Sequence, residues 1–93
     1  MREALFVFTY DVVGDRARRR VAHILEEATV RVQDSVFEAR MSPGAAERLA
    51  RVAARELDES DSLRVYVVGD GTLGRCLAFG APPLPEKHDF YLL

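Results

Sequence analysis

Val30-Arg31-Val32-Gln33-Asp34-Ser35-Val36-Phe37-Glu38-Ala39-Arg40-Met41 is β-like throughout, but its side-chain parity changes part-way along. Val30, Val32 and Val36 share one phase; Phe37, Ala39 and Met41 share the other. Alternate side chains of a strand point to opposite faces, so a one-residue switch of phase requires a bulge or a tight turn. Asp34-Ser35 is the polar place for it. Two short strands are therefore predicted, at about 30–34 and 36–41.

Helical patterns flank this doublet on both sides. Upstream, Ala17, Val21, Ile24, Leu25 and Ala28 form one apolar stripe, predicting a helix from about Arg16 to Ala28 with Asp15 as N-cap. Downstream, Ser42-Pro43 combines an N-cap with proline at the first helical position. Ala46, Leu49, Ala50, Ala53 and Leu57 carry that helix to about Leu57. A strand lies outside each helix. In Ala4–Tyr10, Leu5 and Val7 point one way, and Ala4, Phe6, Phe8 and Tyr10 the other. Leu63–Val68 is the second outer strand, and Cys76–Phe79 and Asp89–Leu93 are candidates for further short ones.

The order β-α-β-β-α-β is that of a ferredoxin-like α+β sandwich, with both helices on one sheet face. The first and last strands of that unit read as apolar on both faces, so the second face needs a cover. A second copy of the chain, packed sheet against sheet as a two-fold homodimer, is the simplest one. The expected organisation is a domain over residues 1–80 and a C-terminal extension over 81–93. Pro82-Pro83-Leu84-Pro85 in that extension cannot join a ladder.

The 93 residues, 48% hydrophobic and 30% charged, suit one soluble globular domain. No apolar run approaches the roughly 20 residues that span a bilayer, and no signal peptide is evident, so the cytoplasm is the expected compartment. Cys76 is the single cysteine, which excludes an intramolecular disulfide and suits a small core residue. A net charge of −2 argues against a general polyanion binder, but the charges are unevenly placed. Four arginines fall within residues 16–20, and Glu56, Asp58, Glu59 and Asp61 fall within residues 56–61. Local fields, not the total, decide where a phosphate chain lies.

Asp11 ends the apolar first strand. A carboxylate at a strand tip can hold a hard cation, Mg²⁺ or Mn²⁺. One acid is a poor site by itself, but two copies meeting at their strand tips share one ion between their Asp11 residues. The competing reading is a turn or N-cap residue. Arg16, Arg18, Arg19 and Arg20, with Arg31 nearby, suit phosphate binding; the competing reading is a solvated helix face, with Asp15 paired to Arg19. Gly69-Asp70-Gly71-Thr72-Leu73-Gly74 matches G-x-G-x-x-G literally, but no helix of useful length follows, so turn glycines explain it. His23 and His88 have no partner at metal-ligand spacing and read as surface residues.

Three segments together resemble the CRISPR-associated endonuclease 2 family: the strand end Tyr10-Asp11-Val12, then Arg16-Ala17-Arg18-Arg19-Arg20-Val21, then Arg31-Val32-Gln33-Asp34-Ser35-Val36-Phe37-Glu38. The third is the most specific, and the likeness runs from about Ala4 to Gly80. The resemblance implies a symmetric dimer in which Asp11 meets its mate at a divalent ion, with Tyr10 beside it. It implies Arg18, Arg20 and Arg31 near nucleic acid, and Ser35 and Phe37 in a supporting block. It implies metal-dependent endonuclease chemistry on single-stranded RNA or duplex DNA, in spacer acquisition beside an integrase subunit. The segment after Gly74 is expected to pair with the other protomer's sheet, and the tail to dock on the integrase. Ala28-Thr29 stands where the family commonly has a glycine, which bears on the end of the first helix. A non-catalytic architectural dimer bridging integrase and DNA is the alternative function. A small-molecule regulatory module is the lower alternative, because it leaves the third segment unexplained.

Overall fold

The computed structural model describes residues 2–69 and 77–80. Its elements are β1 (Ala4–Asp11), α1 (Asp15–Glu26), β2 (Val30–Gln33), β3 (Val36–Met41), α2 (Pro43–Ala54), β4 (Ser62–Val68) and β5 (Leu77–Phe79). They form one antiparallel sheet in the order β2-β3-β1-β4-β5. The first four strands have the expected ferredoxin-like arrangement, and β5 extends the β4 edge. Cys76, His88, residues 70–74, the proline stretch, the strand expected at Asp89–Leu93 and the 81–93 extension lie outside the described residues.

The parity switch is resolved by both available devices. Asp34-Ser35 forms the turn between β2 and β3, and the register slips between Arg31 and Gln33. Phe37 thereby stands opposite Phe8, and Ala39 opposite Phe6, on the face that both helices cover. Phe6, Phe8, Phe37, Leu25, Leu63, Val21 and Val65 are the largest side chains fully buried there. Small residues on α2, Ala46, Ala50 and Ala53, fill the helix side of this core.

The helix ends differ from expectation for local reasons. Gly14, in extended conformation, is the N-cap of α1, and Asp15 is already helical. Its carboxylate pairs with Arg18, not Arg19, and complements the positive helix end. The helix stops at Glu26, and the Leu25 carbonyl near its end accepts from the Thr29 hydroxyl at 2.7 Å and the Thr29 N–H at 2.9 Å. Ala28 consequently leaves the stripe and is exposed. Ser42 caps α2 as expected, accepting from Ala45 N–H at 3.2 Å. The helix then tightens after Ala54, where Arg55, Glu56 and Leu57 each bond three residues back.

On the other sheet face, three rows cross β1: Arg40–Leu5–Val68, Glu38–Val7–Tyr66 and Val36–Thr9–Arg64. Leu5 and Val7 are only half-buried there. The face is thus an apolar ridge with charged flanks. β4 contributes Ser62, Arg64, Tyr66 and Val68 to it, so that strand is not apolar on both sides as expected.

Leu77–Phe79 pairs with the chain's own β4, Leu63 opposite Phe79 and Val65 opposite Leu77. Leu77 and Phe79 pack against the core, which favours this attachment. Gly80 then leaves the sheet with φ +98°, and a Cβ there would lie 2.1 Å from the Asp61 carbonyl oxygen. Gly80→Ala is expected to cost about 1–3 kcal/mol through backbone conformation alone, with the overlap adding to it. Urea denaturation checks this; a loss below about 0.5 kcal/mol, the size of an ordinary surface change, contradicts it.

Candidate metal centre and nucleic-acid interface

Asp11 occupies the last paired position of β1, opposite Ser62, and is exposed. Alternation puts it on the ridge face, in phase with Leu5, Val7 and Thr9. Its carboxylate suits a hard cation, and it makes no ion pair among the described residues. Those residues contain no group of three or more His, Cys, Asp or Glu able to hold a metal. Among the described residues this strand end therefore offers one carboxylate, fewer donors than a hard cation needs by itself.

Tyr10 points the opposite way. It is 7% exposed and stacks on Phe37 with ring centroids 5.9 Å apart. Its hydroxyl donates to the Asp34 carbonyl oxygen at 3.4 Å and accepts from Arg31 Nη2 at 3.4 Å. Its N–H donates to the Ser35 carbonyl oxygen at 3.2 Å. Tyr10 and Asp11, adjacent in sequence, thus serve opposite faces of the sheet. Arg31 lies over the Phe37 ring, 5.1 Å from its centroid, donates to the Asp34 carbonyl oxygen at 3.1 Å and pairs with Glu26 at 3.5 Å. Tyr10, Arg31, Ser35 and Phe37 are brought together. Tyr10, Arg31 and Ser35 line a cleft of about 620 Å³ with Arg18, Arg19 and His23.

The Arg cluster divides by partner. Arg18 pairs with Asp15 and donates to the carbonyl oxygens of Val12 and Val13; Arg20 pairs with Glu56. Arg16 and Arg19 make no ion pair among the described residues, and both are exposed. His23 is exposed as expected, 3.9 Å from Glu27. Exposed pairs such as these contribute about 0–1 kcal/mol each, so their main effect is to occupy a guanidinium.

The acidic run at 56–61 is not one patch. Glu56 is taken by Arg20, and Asp61 is buried at 2% exposure. Its two oxygens accept from Val13 N–H and Asp58 N–H, each at 3.0 Å. Asp58 stays exposed, and its carboxyl is held below the usual range by hydrogen bonds from Ser60 N–H and hydroxyl. Sequence reasoning missed Asp61. The available signal was its parity, since 61 is in phase with the inward-facing Leu63, Val65 and Val67.

Sheet order and helix placement define a small ferredoxin-like α+β protein with an exposed acid at the end of its central strand. The family model for CRISPR associated protein Cas2 matches residues 4–76. The chain belongs to this Cas2 family. It is 40% identical over 83 residues to CRISPR-associated endoribonuclease Cas2 3 of Synechocystis sp., covering 88% of this chain and 90% of that one. It is 36% identical to CRISPR-associated endonuclease Cas2 2 of Thermus thermophilus over the full length of both. The crystal structure of Streptococcus pyogenes Cas2 superposes with a TM-score of 0.63 at 32% identity, covering 72% of this chain and 88% of that one. No helix among the described residues is long and apolar enough to cross a membrane.

Proposed function

We propose that two copies of this chain form a metal-dependent endonuclease acting on single-stranded RNA or duplex DNA, working in spacer acquisition beside an integrase subunit. One observation carries the reading: Asp11 stands exposed at the end of the central strand, on the same face as the Leu5–Val7 ridge. Packing two ridges removes apolar surface from water and brings two strand ends toward one interface. The paired Asp11 carboxylates would hold Mg²⁺ or Mn²⁺. Such an ion supplies Lewis-acid neutralisation of charge on a phosphoryl oxygen. The names of the relatives, endoribonuclease and endonuclease, support the same chemistry. Cleavage of labelled RNA and DNA with metal and with chelator, alongside sedimentation, tests the reading; a monomer that cleaves nothing contradicts it.

A second reading is favoured by the position of Arg16 and Arg19. They lie on α1, which covers the face opposite the ridge, so their phosphate contacts need not pass Asp11. In that reading the dimer is a scaffold for duplex DNA. Each phosphate contact changes the slope of log affinity against log salt by about 0.9. The double variant Arg16→Ala/Arg19→Ala is expected to lower that slope by about two, measured by fluorescence anisotropy over a salt series. An unchanged slope makes this face a solvated surface only. Arg20→Ala is expected to change it less, because Glu56 already holds that guanidinium.

A further inference from the structure

Directly after Asp11 the chain turns through Val12–Gly14 into α1. Two side chains of opposite charge hold the peptide unit between Val12 and Val13 at its two ends. Asp61 Oδ1 accepts from the Val13 N–H at 3.0 Å. Arg18 Nη1 donates to the Val12 carbonyl oxygen at 3.2 Å and to the Val13 carbonyl oxygen at 3.3 Å, while Nη2 pairs with Asp15. The other Asp61 oxygen accepts from Asp58 N–H at 3.0 Å, tying the grip to the loop before β4. Asp61 itself immediately precedes Ser62, the register partner of Asp11.

A carboxylate at 2% exposure is costly to bury unless both oxygens are bonded. Here both bonds go to backbone N–H groups, and one of those N–H groups belongs to the loop leaving Asp11. We infer that Asp61 and Arg18 are positioning residues that lock the Val12–Val13 peptide plane and thereby set the direction in which the Asp11 carboxylate leaves β1. The inference rests on the reading of Asp11 as a metal ligand. A site shared between two copies tolerates an error of only about 0.5 Å in each ligand, and an exposed strand-end aspartate followed by an unrestrained loop does not meet that. Arg18 is thereby withdrawn from the phosphate-binding set.

The test is Mn²⁺ binding by the whole chain, read from the electron paramagnetic resonance signal of free Mn²⁺, with folding checked by circular dichroism. Residues that orient a metal ligand are typically worth 10- to 100-fold in affinity. Asp61→Asn, which leaves one of the two N–H groups facing an amide, is expected to weaken Mn²⁺ binding about tenfold with duplex binding unchanged. Arg18→Met is expected to weaken it too, and Arg18→Lys to recover part of the loss. Charge alone predicts the reverse for Arg18→Met, since removing a nearby cation favours Mn²⁺; unchanged or tighter binding there overturns the inference. Asp61→Asn binding like wild type while Asp11→Asn does not also overturns it and leaves the metal reading standing. Asp11→Asn binding like wild type removes the metal reading and the positioning role together. If Asp61→Asn does not fold, the Arg18 variants decide, because that side chain is 44% exposed.

Discussion

Asp11→Asn is expected to reduce metal-dependent cleavage on the order of a thousandfold and to leave the melting temperature where it is. The size follows from the several kcal/mol that a catalytic ion contributes, at about 1.4 kcal/mol per decade of rate. The neutrality toward folding follows from the structure. Asp11 is exposed, it ends a strand, and its side chain joins no ion pair among the described residues. Surface changes of this kind stay within about 0.5 kcal/mol. In a two-fold dimer the substitution removes both carboxylates at once, so no wild-type half-site survives. The measurement is a time course on labelled single-stranded RNA and duplex DNA, with Mg²⁺, Mn²⁺ or chelator, for both proteins. A cleaving substrate that needs metal and fails with the variant identifies both the ligand and the target. Equal rates for variant and wild type would instead point to a contaminant and leave the scaffold reading as the function.

Phe37→Ala is expected to cost about 3–5 kcal/mol, the ordinary loss for a phenylalanine removed from a packed core. Phe37 has no exposed surface and faces Phe8 across the β1–β3 ladder. Tyr10 stacks on it, and the Arg31 guanidinium rests on its ring. Domains of this size hold about 5–15 kcal/mol in total, so the variant stands near the edge of folding. At about 4–8 °C per kcal/mol, the melting temperature falls by roughly 12–40 °C. Urea denaturation measures the loss, and a value below about 1 kcal/mol contradicts the packing described. The resemblance placed Phe37 among supporting residues, and the structure supplies a physical sense for that word: its ring is the floor on which Tyr10 and Arg31 lie. Cleavage assayed at a temperature where the variant is folded separates the two contributions. Full activity there means Phe37 acts through stability alone.

The frame of the protein was legible because it depends on periodicity and on punctuation. Two faces of β1, the stripe of α1, the Ser42-Pro43 start and the parity switch at Asp34-Ser35 are local patterns, each with a mechanism that acts over a few residues. The helix ends were less legible. α1 ends at Glu26, two residues short of the expected Ala28, because an apolar stripe marks which residues face the core and not where the backbone leaves the helix.

The site was legible as a set of residue types and much less as an arrangement. Asp11 and the arginines stand out in the chain, but which arginine is occupied depends on what lies opposite it. Arg20 meets Glu56 from 36 positions away, and Arg18 folds back onto the carbonyls after β1. Asp61 was one of four acids in the run 56–61, and only the sheet brings it beside the end of β1. Order of elements, and hence the fold, follows from short-range preferences that every residue carries with it. Partnership of charges follows from distances between segments far apart in the chain, which exist only once the sheet has set its register. Electrostatic and hydrogen-bond energies depend on those distances and on burial, so they were decided by the tertiary structure alone.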